Sequence, residues 1–61
     1  MEQLTEKELS ALQDLLTDEE LLVEKFKMLA THTEDAEIKE KYDRISKQHQ
    51  NHFNALYAYL Q

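Results

Sequence analysis

The stretch Thr31-His32-Thr33-Glu34-Asp35-Ala36 decides the fold. The chain reads as helix on either side of it and not within it. It has no Gly or Pro, but Thr31, Thr33 and Asp35 each carry a side-chain oxygen that can accept from the free N–H groups opening a helix. Glu34, Asp35 and Glu37 put negative charge where a new helix dipole is positive. One helix therefore ends near Thr31 or His32, and a second begins near Asp35. A connection this short forces them antiparallel and side by side. The competing arrangement is one straight rod through residues 31–35. Only the polar break opposes it, because nothing there forbids helix. His32, at the bend, reads as a solvated residue at a helix C-terminus, where partial positive charge is favourable.

Upstream, Thr5-Glu6-Lys7-Glu8 is a capping box, with Leu4 and Leu9 placed as a hydrophobic staple. The first helix thus runs from about residue 5 to residue 32. At about 100° per residue, Leu9, Leu12, Leu16, Val23, Phe26 and Ala30 share one side, and Leu15, Leu22 and Leu29 widen it. An arc this broad suits a helix touching more than one neighbour, as in a bundle. Leu21 and Met28 point away, and single exposed apolar residues are common. Glu19 falls near the centre of the arc and is the one acid expected to be buried.

Downstream, the second helix runs from about 35 to 60. Its stripe is Ile38, Tyr42, Ile45, His49, His52, Phe53, Leu56 and Leu60. Glu37–Lys41, Glu40–Arg44 and Asp43–Lys47 are acid-before-base pairs on its solvated outer face. Between Gln48 and Gln61 there is no formal charge. Amides, Phe53, Tyr57 and Tyr59 fill that segment, which reads as a region where subunits overlap, because Phe53 and Tyr57 adjoin the stripe; the alternative is a separate interaction surface.

The 61 residues form a single helical-hairpin domain, residues 1–61, of all-α class. So short a chain buries little by itself and needs a disulfide, a metal or a partner chain. There is no cysteine, which leaves oligomerisation or a His/carboxylate metal site. The net charge of -6 repels phosphate backbones, so nucleic acid is not an expected partner. No apolar run is long enough to span a membrane. The acidic, polar start Met1-Glu2-Gln3 is no secretory signal, so the expected location is intracellular.

His49 and His52, three residues apart, lie on neighbouring turns of one face. With the turn centred near residue 33 or 34, antiparallel partners have numbers summing to roughly 67. Glu19 then falls within one position of His49, with His52 one turn along. Two imidazoles and one carboxylate suit zinc, iron, manganese or another divalent transition metal. The alternative is a hydrogen-bonded Glu–His layer that fixes register without a metal. No nucleophile with an adjacent base, Gly-rich loop or carboxylate pair for acid–base work is visible, so no enzyme is expected.

Three segments carry a family resemblance: Leu4-Thr5-Glu6-Lys7-Glu8-Leu9, the run from Asp18 to Met28, and Lys47-Gln48-His49-Gln50-Asn51-His52-Phe53. Together they resemble the CotF-like group of small spore coat proteins, over nearly the whole chain. The resemblance implies a ferritin-like half-bundle that dimerises into four helices, with other coat proteins as partners and the spore coat as location. It departs from the di-iron pattern of a lone Glu plus Glu-x-x-His. Glu19 matches the lone Glu, but His49 or Ser46 stands where the motif glutamate belongs. One carboxylate per hairpin does not favour oxygen activation.

Overall fold

The computed structural model describes residues 4–60, and the lead-in Met1–Gln3 lies outside them. Two helices, α1 (Glu6–His32) and α2 (Ala36–Tyr57), pack against each other as a hairpin, and a 3-10 turn (Ala58–Leu60) continues α2. The described residues contain no strand.

The ends of the helices follow from local chemistry. Thr5 Oγ1 accepts from the Glu8 N–H at 3.1 Å, and Glu8 Oε1 accepts from the Thr5 N–H at 2.9 Å, so the capping box is complete. The connection needs no glycine, because no described residue has positive φ. Thr33 is extended, and its N–H donates back to the Leu29 carbonyl at 3.1 Å. The three oxygens foreseen as caps take different roles. Thr31 turns back on its own helix and donates to the Lys27 carbonyl. Thr33 Oγ1 accepts from the Asp35 N–H. Asp35 is the cap, with Oδ1 accepting from the N–H groups of Glu37 and Ile38. On the outer face Glu40–Arg44 closes at 3.3 Å with both side chains largely exposed, a pair worth a few tenths of a kcal/mol.

The connection is centred on residue 34, within the expected range, and sets Glu19 against His49 rather than residue 48. Glu19–His49 and Phe26–Tyr42 meet at sums of 68, and Val23–Ser46 at 69. The core is thin. Leu12, Leu16, Val23, Ala30 and Ser46 are the buried side chains among the described residues. Ser46 and Ala30 are small, which lets the helices approach closely. The Ser46 hydroxyl donates to the Val23 carbonyl at 3.1 Å, so its polar atom is satisfied where water is excluded.

The hairpin measures 46 × 17 × 11 Å and so has two broad faces. At about 100° per residue, Glu20 and Glu24 lie to one side of the buried line of α1, and Leu15, Leu22 and Leu29 to the other. A shallow groove lined by Glu20, Val23, Glu24, Gln50 and Phe53 marks the polar face. The opposite face carries exposed apolar side chains, with Glu8, Lys41 and Gln48 at its margins. Its α1 column Leu15, Leu22, Leu29 and its α2 column Ile38, Ile45, His52, Tyr59 each repeat every seven residues, the spacing that keeps a stripe turned toward a neighbouring helix. Leu15 is 49% exposed and Ile38 41%, although the arc reading placed both toward a core. Leu21 and Met28 are exposed as expected.

Candidate metal centre

Glu19 is the middle residue of α1, and the register sets it opposite His49 on α2. The Nδ1 of His49 lies 2.5 Å from Glu19 Oε1, a short hydrogen bond in which the ring N–H donates to the carboxylate. One turn further on, His52 Nδ1 lies 3.4 Å from the other oxygen, Glu19 Oε2. A single carboxylate thus engages both imidazoles. The Glu19 and His49 side chains are 17% and 22% exposed, and that of His52 is 61% exposed. The cluster is therefore walled on the α1 side and open through His52 on the apolar face.

Aromatic packing holds the rings. Phe26 stacks on His49 with centroids 5.9 Å apart and planes 14° from parallel. His52 meets His49 edge-on at 5.6 Å and 84°. Tyr42 also packs against Phe26, with ring centroids 5.9 Å apart. Neither Phe26 nor Ser46 was singled out as part of the site from the sequence. The only signal was position: Phe26 lies seven residues after Glu19, and Ser46 three before His49, so both flank the cluster. His32, exposed in the last turn of α1, stands well apart from it.

One ligand atom from each of Glu19, His49 and His52 falls within a set whose members are at most 4.8 Å apart. In a tetrahedral zinc site, metal–nitrogen and metal–oxygen distances near 2.1 Å place neighbouring ligand atoms about 3.4 Å apart. The Glu19–His52 separation already has that value. The Glu19–His49 pair is closer, as a hydrogen bond requires. To admit an ion between them the two atoms part by about 0.9 Å, the difference between a hydrogen bond and a tetrahedral edge. A small rotation of the Glu19 carboxylate supplies this. Alternatively, Glu19 keeps the His49 Nδ1 proton and so fixes the ring's tautomer, leaving Nε2 as the donor atom. Two imidazoles and a carboxylate are a donor set of the kind that divalent transition metals take.

No family model, curated protein or solved structure matches the chain. No helix among the described residues is long and apolar enough to cross a membrane.

Proposed function

We propose that this chain is an assembly protein whose hairpin pairs with a second copy into a four-helix bundle. That homodimer would be the unit built into a larger structure, of the kind the resemblance to CotF-like coat proteins implies. The observation that carries this reading is the uncovered apolar face. Leu15, Ile38 and Tyr59 stand exposed beside half-buried Leu22, Leu29 and Ile45. A layer 11 Å thick has no second layer to cover that face. The exposed residues are spread along the 46 Å length of the hairpin, so a second copy laid alongside covers them together. Sedimentation equilibrium at micromolar concentration tests the reading, with a dimer mass expected. A monomer mass for a helical, cooperatively folding chain overturns it.

A second reading has its own observation, the convergence of Glu19, His49 and His52. Here the bundle holds a divalent transition metal (zinc, iron or manganese) between its helices. Elemental analysis of tag-free protein before and after chelator decides it. Stoichiometric metal that the chelator removes supports the reading. Protein that purifies without metal and takes up none on addition refutes it. No reaction is assigned to the site.

A further inference from the structure

We propose that the Glu19–His49–His52 clusters of two copies meet across the two-fold axis of the dimer and form one shared metal centre. This rests on both readings above, the pairing and the metal.

The first observation is position along the hairpin. Glu19 has thirteen helical residues before it and thirteen after it in α1. A two-fold axis parallel to the helices leaves every residue at the height of its symmetry mate. A perpendicular axis through mid-length inverts heights, so only groups near the middle meet their own copies. A cluster at the midpoint faces its counterpart under both symmetries, provided that it lies on the paired face. A two-fold interface is self-complementary, so whatever lies at its centre lies there twice.

The second observation is direction. His52 belongs to the seven-residue column Ile38, Ile45, His52, Tyr59 on the uncovered face. Its side chain is 61% exposed, against 22% for His49, so the cluster opens through His52 toward the partner rather than inward. A polar group at the centre of an otherwise apolar interface is costly unless the partner supplies something for it to bind.

The third observation is ligand arithmetic. One chain supplies three protein ligands, and a closed tetrahedral site takes four. Two clusters supply four imidazoles and two carboxylates. Each Glu19 has two oxygens, already directed at different rings, so the carboxylates can bridge. The partner copy thus completes coordination that one hairpin leaves open, and pairing removes the ions from bulk water.

The test couples metal to association. Zinc chloride is the probe, and sedimentation equilibrium and thermal melting are measured on the same samples of full-length chain. Leu15→Ala provides a weakened dimer: Leu15 is exposed in the hairpin, so its loss spares the fold while bringing dissociation into a measurable range. Zinc is expected to tighten dimerisation of Leu15→Ala at least tenfold. Adding His52→Ala should abolish that tightening, and adding His32→Ala should leave it intact. If zinc raises the melting temperature but leaves the dimer dissociation constant unchanged, each cluster serves its own chain and the proposal fails while the metal reading stands. If zinc changes neither quantity, the metal reading fails and takes the proposal with it. If wild type is monomeric with and without zinc, the pairing reading fails and the proposal fails with it.

Discussion

His49 and Glu19 are thirty positions apart in sequence and 2.5 Å apart at their polar atoms. The pair sits in the seam between α1 and α2, where both side chains are largely withdrawn from water. Its energetics are asymmetric. Kept together, the groups satisfy one another; with one removed, the survivor is left partly buried and unpaired, which costs about 1–3 kcal/mol.

That asymmetry gives the first prediction. In chelator, Glu19→Ala should destabilise the fold by about 1–3 kcal/mol in urea denaturation. Glu20→Ala, one residue along and exposed, should stay within about 0.5 kcal/mol of wild type. Replacing both partners, as Glu19→Leu with His49→Leu, should be neutral or stabilising while removing metal binding. Equal losses from Glu19→Ala and Glu20→Ala would mean that α1 is rotated from the orientation described.

Metal binding should appear as ligand-linked stability. A metal that binds the folded state raises the melting temperature by mass action. Protons compete with metal for imidazole nitrogen, so the rise produced by zinc, cobalt or manganese at pH 7.5 should vanish at pH 5. His49→Ala should remove most of the rise, because His49 lies nearest Glu19, and His52→Ala should weaken it. His32→Ala is the control. An unchanged melting temperature for wild type across all three metals would identify the histidines as core and interface residues only.

Ser46 offers a test of the helix seam that is independent of the metal. Ser46→Ala removes the hydrogen bond to the Val23 carbonyl but keeps the close approach, and should cost about 0.5–1.5 kcal/mol. Ser46→Leu forces bulk into a site that is 4% exposed and should cost about 1–3 kcal/mol or more. Chemical denaturation of the two variants checks the order. A Ser46→Leu protein as stable as wild type would place residue 46 outside the seam.

The capping box carries the pH prediction. The Thr5 backbone N–H and then the Thr5 hydroxyl hold the Glu8 carboxyl below its usual value of 4.5. A carboxylate whose folded pKa is depressed contributes stability that is present above the unfolded value and lost as pH falls through the folded one. The Glu8 contribution should therefore be intact at pH 6 and fade below about pH 4.5. Carboxyl NMR titration should show Glu8 below the ordinary glutamate value, and Thr5→Ala should move it back up. A Glu8 titration unaffected by Thr5→Ala would show that the box is open in solution.

The sequence by itself determined what local chemistry controls. Thr5 with Glu8, and Asp35 with the N–H groups after it, mark helix starts because a cap acts within three or four residues. The polar break at 31–35 favoured a turn over a straight rod, and the turn's centre then brought Glu19 within one position of His49 by counting alone. Tertiary structure decided what depends on rotation about each helix axis. The arc of α1 is wide enough that several orientations bury leucine equally well. Only packing of the two helices settles that Leu12, Leu16 and Val23 face inward while Leu15 stays open to water. The same rotation buries Ser46, which no apolar pattern marks, and lays Phe26 on the His49 ring. It also separates the two histidines, which periodicity places on one face, into a withdrawn residue and an exposed one. Periodicity records which residues share a side of a helix; the partner helix, joined through contacts distant in sequence, chooses which part of that side is closed.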